Sequence, residues 1–400
     1  MSYRILCVNP GSTSTKIAVF DGADGELEEV FRENIQHSAE DLAGFSCNND
    51  QIPYRTELIL RALDEHGMTL DDMDAFGSRG GGQCSHVGGT YVVNERMARE
   101  AHDEVYASHP ALLACQICYN FSLQTGRPAY MTNSPATDEM RQIARITGMK
   151  GCYRICYAHA LNQKEAAQRY ARSIGRPYED LDLVVCHVGG GVSVTAHRHG
   201  RMVDTNDILN GDGPMAPNRT GSLPAQALVD RCFDAMERGE ERRDVSRYVR
   251  SKGGLYDLLG TFDAREVRGR IDDGDVYAKN VYDAMCYQIA KYVGSMYVAL
   301  GCRCDAIILT GGIAHDDYLC GRVEEMAGSL APVVRMPGEF EMEALAHGAL
   351  SALEDGIAME YTGVPVWDES KLHEECESWM PGGREARAAS TGEKAVARVA

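Results

Sequence analysis

Glycine and hydroxyl residues follow several apolar segments of this 400-residue sequence. The first of these segments, residues 7–22, reads CVNPGSTSTKIAVFDG and places Gly11, Ser12 and Ser14 ahead of Lys16. Glycine permits tight turns that expose backbone N–H groups, and concave arrays of N–H groups bind anions, phosphate in particular. The hydroxyl groups add hydrogen-bond donors, and the lysine can add positive charge. This segment is therefore a candidate phosphate-binding hairpin.

The same design recurs further along the chain. Residues 184–196 read VVCHVGGGVSVTA, and His187 of this segment aligns with Asn9 of the first one. The second loop supplies three more candidate phosphate-binding residues, which are Gly189, Gly190 and Gly191. Glycine-rich turns also follow apolar segments at Arg79 and Thr310. The sequence contains neither GxxxxGK(S/T) nor a GxGxxG motif after the first predicted strand, which argues against a P-loop enzyme and a Rossmann dinucleotide site.

Composition limits the classes of function. The 40 basic and 59 acidic residues give a net charge of −19, whereas nucleic-acid binding requires clustered lysine and arginine. The first residues lack the basic and apolar regions of a signal peptide, and no apolar run reaches the ~18 residues of a membrane span. The 14 cysteines then indicate reduced thiols, with Cys115 and Cys118 as buried packing residues. These features predict a cytoplasmic protein without a nucleic-acid or membrane partner.

Apolar segments of strand length alternate with amphipathic segments of helix length along the chain. The longest helical segment is residues 275–300, in which Met285, Ile289 and Met296 fall on one face. A chain of 400 residues can form two domains, each with its own core. The alternation predicts an α/β fold, and the duplicated hairpin indicates two related halves with a cleft between them. The polar residues 381–400 are predicted to form a flexible tail.

Several motifs together resemble the acetate kinase family of the actin-like ATPase and sugar kinase superfamily. They are NPGSTSTKIAVF, SRGGG, HPALLACQICYNF, HALNQK, HVGGGVSV, NGDGPMAPNRTGSLP and LTGGIAH. The segment GDGPMAPNRTGSLP resembles the butyrate kinases of this family. The resemblance implies two actin-like ATPase (ribonuclease H-like) domains with a central cleft. One domain would comprise residues 1–155 and about 345–400, and the other residues 156–344.

The resemblance also implies a reaction. Members of the family transfer phosphate reversibly between ATP and a short carboxylate, giving an acyl phosphate and ADP. The expected ligands are therefore ATP or ADP, Mg²⁺ and a short carboxylic acid, chiefly butyrate or a branched acid, in a homodimer. Acetate or propionate remains an alternative substrate. Gly81 lies two residues after Arg79, where acetate kinases have valine, and it is expected to leave room for a longer acyl chain.

Transfer of phosphate to a carboxylate brings two anions together, so cationic groups must neutralise the reacting oxygens. Arg79 and Arg219 match the two active-site arginines of the family. His187 matches a histidine that hydrogen-bonds the phosphoryl group in transit. Asn9 matches an asparagine near the metal and the β- and γ-phosphates.

Other matches concern the metal and the nucleotide. Glu341 is favoured over Glu343 as the family's glutamate near the metal, although both could be surface charges of a helix. The residues that resemble the family's adenosine-binding turn are Gly311, Gly312 and Ile313. His159, in HALNQK, also matches a family position, with either a functional or a supporting role.

One position departs from the family pattern. Asn133 stands where the family has an aspartate that orients the metal and an arginine, and Asp138 aligns with a second family aspartate. An amide can accept a hydrogen bond but carries no charge. Asn133 is retained as a catalytic candidate, and its presence leaves open a weakly catalytic nucleotide-binding protein of the same fold. A sugar kinase is disfavoured, because it needs a carboxylate base that a carboxylate substrate does not require.

Overall fold

The computed structural model describes residues 2–374, and its contacts divide them into two compact units. The first unit comprises the chain up to Asp138, His159–Glu165 and Glu339–Trp367, and the second comprises the remaining described residues. These limits differ from the predicted domains mainly at residues 139–155, which belong to the second unit. The division into functional domains stays a prediction, and the predicted tail at residues 381–400 lies outside the described residues.

Twelve strands form two mixed sheets within residues 2–374. The strands are β1 (Tyr3–Pro10), β2 (Ser14–Ala23), β3 (Glu26–Gln36), β4 (Ala75–Ser78), β5 (Thr90–Val92), β6 (Ala129–Thr132), β7 (Asp182–Val188), β8 (Val192–Arg198), β9 (Arg201–Thr205), β10 (Ala306–Gly311), β11 (Val333–Pro337) and β12 (Met359–Glu360). The first unit has the strand order β12-β5-β6-β4-β1-β2-β3, and the second has β11-β10-β7-β8-β9.

Thirteen α-helices complete the described part of the chain. They are α1 (Ala39–Ala43), α2 (Ile52–Glu65), α3 (Glu95–His102), α4 (Leu112–Thr125), α5 (Gln142–Arg145), α6 (Ala160–Ser173), α7 (Ala225–Glu237), α8 (Arg242–Arg250), α9 (Leu255–Leu259), α10 (Ala264–Asp272), α11 (Val276–Ala299), α12 (Asp317–Ala327) and α13 (Glu341–Asp355). None of the helices in residues 2–374 is long and apolar enough to span a membrane.

Five strands of the first sheet, β6-β4-β1-β2-β3, have the same order as the five strands of the second sheet, which confirms the duplicated hairpin predicted from the sequence. In the first sheet, β1 pairs antiparallel with β2 and parallel with β4. In the second, β7 pairs antiparallel with β8 and parallel with β10. A third antiparallel strand follows each hairpin, namely β3 and β9. The observed α/β architecture therefore agrees with the predicted fold class.

The core of each unit lies between its sheet and the helices that cover it. The predicted apolar face of α11 is confirmed, because Met285, Ile289 and Met296 are at most 3% exposed in the second core. In the first unit, α13 packs directly on the sheet. A Cβ added at Gly348 would lie 2.1 Å from Thr132 Oγ1 on β6. Glycine at this position allows the helix to approach the strand closely.

We expect Gly348→Ala to destabilise the protein by about 1–3 kcal/mol, because the added methyl overlaps Thr132. Gly294→Ala on α11 is a matched control, since no heavy atom lies within 4 Å of its added Cβ. The control should stabilise its helix by about 0.5–1 kcal/mol. Thermal unfolding monitored by circular dichroism measures both. Equal midpoints for the two variants would contradict the close packing of α13 on β6.

Candidate active site

Three predicted site residues lie at one edge of the first sheet. Strands β1, β4 and β6 run parallel, so their carboxyl ends meet at the same edge. Asn9 lies near the end of β1, whereas Arg79 and Asn133 directly follow β4 and β6. In open α/β sheets this edge is the usual position of ligand sites. The topology thus places side chains that are far apart in sequence along one edge.

Glu341 joins two of these residues. Glu341 is the first residue of α13. Its Oε2 accepts a hydrogen bond of 2.8 Å from Asn9 Nδ2. Its Oε1 lies 2.5 Å from Arg79 Nη1. The side chains of Arg79 and Glu341 are 20% and 18% exposed, so the ion pair is largely shielded from water. The structure therefore brings Asn9, Arg79 and Glu341 together, as the predicted site requires.

Arg79 keeps a donor for a ligand. Its Nε is buried and has no hydrogen-bond partner within the described residues. A buried donor without an acceptor costs about 1–3 kcal/mol, so such groups are usually satisfied by a partner that binds. The glycines after Arg79 pack tightly, and a Cβ at Gly81 would lie 3.0 Å from the Cβ of Ala111. Ala111 therefore limits the space beside Gly81, and the expectation that this space admits a longer acyl chain stays a prediction.

Asn9 and Glu341 are also the candidates for holding a metal ion. No cluster of three or more His, Cys, Asp or Glu side chains suited to a metal ion occurs among residues 2–374. Glu341 accepts a hydrogen bond on Oε2 and forms an ion pair through Oε1, although each oxygen has a second lone pair. This donor set fits Mg²⁺ that arrives with phosphate and keeps several water ligands. Asn9 and Glu341 would then contact the ion or its water.

The first hairpin loop presents backbone N–H groups at its tip. The Gly11 amide is not one of them, because it donates to Ser14 O at 2.7 Å and closes the turn. Within residues 2–374 the amides of Ser12 and Thr13 donate no hydrogen bond, and both residues are exposed. The Nζ atom of Lys16 lies 3.6 Å from Glu339 Oε2. The loop can therefore offer Ser12 and Thr13 to an anion, whereas Gly11 supports the turn.

Asn133 has a structural task in this arrangement. Its backbone adopts the left-handed conformation with φ of 42°, which asparagine tolerates better than most residues. Its Oδ1 accepts the Gly89 N–H at 2.8 Å, and its own N–H donates to Gly89 O at 3.0 Å. Asn133 is 8% exposed. An aspartate could make the same contacts, so the amide is compatible with the geometry of the family position.

The second unit repeats the loop geometry with its own residues. His187 pairs with Ser193 across the hairpin and with Thr310 on β10. The Gly189 amide donates to Gly191 O at 3.0 Å and closes the loop. A Cβ at Gly189 would lie 3.0 Å from His187 Nε2, so the imidazole lies against the loop backbone. Gly190 is exposed at the tip.

Arg219 lies against this loop. A Cβ at Gly191 would lie 1.5 Å from Arg219 Nη1, so only glycine leaves room for the guanidinium. Both Nε and Nη1 of Arg219 are buried without a hydrogen-bond partner in the part of the chain described. Burial lowers the pKa of Arg219 and the charge of Asp207 raises it, but arginine stays protonated at neutral pH. A small cavity adjoins this side chain, also lined by Val192 and Asp212.

The predicted adenosine-binding turn follows β10. Gly311 has φ of 90°, and a Cβ there would lie 2.5 Å from Val188 O. Only glycine can therefore bring this turn so close to β7. Gly312 has no heavy atom within 4 Å of an added Cβ, and Ile313 packs partly against the second core. The open space beside Gly312 is compatible with a ligand at this turn.

The remaining predicted residues are less directly involved. Glu343 Oε1 pairs with Arg32 at 2.7 Å, so Glu341 rather than Glu343 contacts Asn9 and Arg79. His159 directly precedes α6. Asp138 is buried and is the last residue of the N-terminal segment of the first unit. Sequence reasoning missed Asn162, whose Oδ1 accepts the Phe340 N–H at 2.7 Å. The hydrogen bond from Phe340 to Asn162 fixes the start of α13. In the sequence, only the HALNQK motif pointed to Asn162.

Comparisons with known proteins show which family the chain is similar to. The sequence model described as the Acetokinase family matches residues 149–327. The chain is 42% identical over 359 residues to a probable butyrate kinase of Phocaeicola vulgatus, covering 89% of this chain and 98% of the relative. It is 39% identical over 351 residues to butyrate kinase 1 of Clostridium acetobutylicum, covering 88% and 97% of the two chains.

Solved structures show the same fold at lower identity. The acetate kinase of Porphyromonas gingivalis superposes with a TM-score of 0.69 at 18% identity, covering 88% of this chain and 100% of that one. A propionate kinase from Francisella tularensis gives a TM-score of 0.64 at 18% identity, with 86% and 98% covered. These similarities establish the actin-like ATPase fold for the chain.

We expect Asn133→Ala to destabilise the protein by about 1–3 kcal/mol, because alanine leaves the partly buried Gly89 N–H without an acceptor and disfavours the left-handed backbone. Asn133→Asp is the control, since it keeps an acceptor and tolerates this backbone. Urea unfolding compares the two variants with the wild type. An alanine variant as stable as the aspartate variant would show that the Gly89 contact contributes nothing.

Proposed function

The chain belongs to the acetokinase family, and on that basis we propose that it is a short-chain acyl kinase acting on butyrate or a branched acid of similar size. The observation that carries this proposal is the identity of 42% and 39% to two butyrate kinases over nearly the whole chain. The proposed reaction is reversible: butanoate and ATP give butanoyl phosphate and ADP.

The proposed step is a direct phosphoryl transfer. An oxygen of the carboxylate forms a bond to the γ-phosphorus, while the bond from that phosphorus to the bridging oxygen breaks. The electron pair leaves with ADP, and no proton needs to move because the acid is already ionised at neutral pH. Catalysis then depends on positioning and on neutralising negative charge. This requirement explains why arginine and amide donors, rather than a general base, fill the proposed site.

The two arginines are assigned to this neutralisation. Arg79 and Arg219 each have a buried guanidinium nitrogen without a hydrogen-bond partner among the described residues. Phosphoryl and carboxylate oxygens are suitable acceptors, and a guanidinium can bind two of them at once. Glu341 holds Arg79 through Nη1 and leaves Nε available. His187 is proposed to donate a hydrogen bond to the phosphoryl group.

The nucleotide is proposed to use both hairpin loops and the turn after β10. Phosphate oxygens would accept hydrogen bonds from Ser12 and Ser14 of the first loop, with charge from Lys16. The other proposed nucleotide contacts are Gly11, as turn support, and Gly189, Gly190, Gly191, Gly311, Gly312 and Ile313. Mg²⁺, when bound, would reduce the negative charge of the phosphates. Asn9 and Glu341 are the proposed protein contacts of that ion.

We also expect a homodimer in the cytoplasm. Apolar side chains on α7 support an interface, since Val229, Phe233 and Met236 are 45%, 62% and 68% exposed. A reducing compartment is supported by the cysteines, all of which are free thiols within residues 2–374. Cys115 and Cys118 are fully buried, as predicted for packing residues.

Replacing either arginine by lysine should separate catalysis from binding. We expect Arg79→Lys and Arg219→Lys to lower kcat by about 10²–10³-fold, because lysine cannot form the bidentate contacts. Affinity for ATP should change by less than about threefold, since a positive charge remains. Butyrate-dependent ADP formation gives kcat, and calorimetric titration gives the affinity.

Arg4→Lys is the matched control for these variants, because Arg4 forms an ion pair with Asp21 away from the proposed site residues. This control should keep wild-type turnover. Thermal unfolding verifies that all three variants are folded. Folded Arg79→Lys and Arg219→Lys proteins with near wild-type kcat would contradict the proposed roles.

The length of the acyl chain can be tested at Ala111. We expect Ala111→Gly to raise the ratio of kcat/KM for pentanoate over propionate by about tenfold, because a methyl group is removed beside Gly81. The double variant Ala111→Gly/Gly81→Ala restores one methyl group to this space and should reverse the change. An unchanged ratio in the single variant would place the acyl chain elsewhere.

A further inference from the structure

Arg55 is a fully buried arginine behind the first hairpin loop. It lies on α2 and is 0% exposed. Its Nη1 donates to Ser14 O at 3.1 Å and to Thr15 Oγ1 at 2.8 Å. Ser14 O is also the acceptor for the Gly11 amide that closes the turn. The guanidinium therefore holds the base of the loop from the side opposite its exposed tip.

The remaining contacts of Arg55 are to an uncharged side chain. Nε and Nη2 donate to Gln51 Oε1 at 3.0 and 2.8 Å. Among residues 2–374 the guanidinium forms no ion pair with a carboxylate. Burial lowers the pKa of Arg55, but an arginine remains charged at neutral pH. The protein thus buries a positive charge that is hydrogen-bonded but not neutralised.

The side chains that extend the hydrogen-bond network from Arg55 are uncharged, so they do not neutralise the guanidinium. Thr15 Oγ1 accepts from Arg55 and lies 2.9 Å from His37 Nε2, and His37 Nδ1 lies 3.3 Å from the Tyr54 hydroxyl. Burial and then the charge of Arg55 lower the pKa of His37, which favours neutral imidazole. Burial and then the charge of the exposed Asp41 carboxylate raise the pKa of Tyr54. Within the described residues, the hydrogen-bonded chain from Arg55 through Thr15, His37 and Tyr54 therefore contains three neutral side chains and no carboxylate.

An uncompensated buried charge is costly, and proteins retain one mainly where a counter-charge binds. We propose that Arg55 is a positioning residue whose charge is balanced by the phosphates bound at the tip of the Gly11–Ser14 loop. It fixes Ser14 and Thr15, so that the Ser12 and Thr13 amides face the anion, and it adds an attractive field from behind the loop. This inference rests on the proposed binding of nucleotide phosphates to the loop.

The sharpest test changes the neighbour rather than the arginine. Gln51→Glu places a carboxylate where Arg55 already donates two hydrogen bonds, so it neutralises the charge and keeps the arginine in place. We expect a higher thermal midpoint together with about tenfold weaker binding of ADP and of inorganic pyrophosphate. A folding defect would lower both quantities, so the opposite signs identify the electrostatic effect.

Gln116→Glu is the matched control, because Gln116 is another buried glutamine of the first unit and bonds to Asn49. It should leave the affinity for pyrophosphate unchanged. Arg55→Lys should retain more of that affinity than Arg55→Gln, since it keeps the charge. Adenosine, which has no phosphate, should bind equally to the wild type and Gln51→Glu.

The outcomes separate this inference from the proposed function. Wild-type protein that binds neither ADP nor pyrophosphate would overturn the proposed phosphate site itself. Wild-type protein that binds both, with unchanged affinity in folded Gln51→Glu, would overturn the role of Arg55 alone. Isothermal titration at two salt concentrations adds a check, because the weakening in Gln51→Glu should be larger at low salt.

Discussion

The carboxylate of Glu341 connects three distant parts of the chain at one point. It accepts a hydrogen bond from Asn9 at the end of β1 and pairs with Arg79 after β4, while its own backbone begins α13. This arrangement requires α13 to lie close to the sheet, which Gly348 permits beside Thr132. Asn162 fixes the first turn of the helix through the Phe340 amide. The position of Arg79 thus depends on helix packing as much as on its own loop.

Several arginines of the proposed site have buried guanidinium groups that are incompletely paired. Arg79 and Arg219 retain buried donors without a partner among the described residues, and Arg55 retains an unneutralised charge. Such groups lower stability when nothing is bound, because burial removes their hydration. A polyanionic substrate would supply the missing acceptors and charge. On this view the unpaired groups lower the stability of the free protein. Their pairing with the substrate contributes to affinity and to charge neutralisation during transfer.

Much of the fold could be predicted because the relevant signals are local. The apolar strands β1, β4, β7 and β10 precede glycine-rich turns, and the repeated hairpin revealed the related topology of both sheets. Strand β3 carries no such signal, since its charged sequence ELEEVFRENIQ is mostly exposed along its length. Helix α3 ends at His102, and the sequence after it carries no local signal that marks this end. The sequence did not single out Arg55, and only tertiary contacts reveal its burial.

The site itself was predicted mainly through the family resemblance. Residue types suggested anion binding, but the contact of Glu341 with Asn9 spans 332 positions and depends on tertiary structure, as does its contact with Arg79. The contacts add structural detail to two expectations. Gly81 faces Ala111 rather than open space, and the Gly11 amide closes its own turn. Asn133 likewise acquires a structural reason, its bond to Gly89, that the sequence did not provide.

The most direct test of acyl kinase activity is a hydroxylamine-trapping assay. Purified protein is incubated with ATP, Mg²⁺ and straight-chain acids from acetate to hexanoate, together with isobutyrate and isovalerate. An acyl phosphate reacts with hydroxylamine to give a coloured hydroxamate complex with iron. The account predicts a signal that is strongest with acids of four or five carbons. Absence of signal with every acid, from protein that still binds ATP, would contradict the proposed phosphoryl transfer to a short carboxylate.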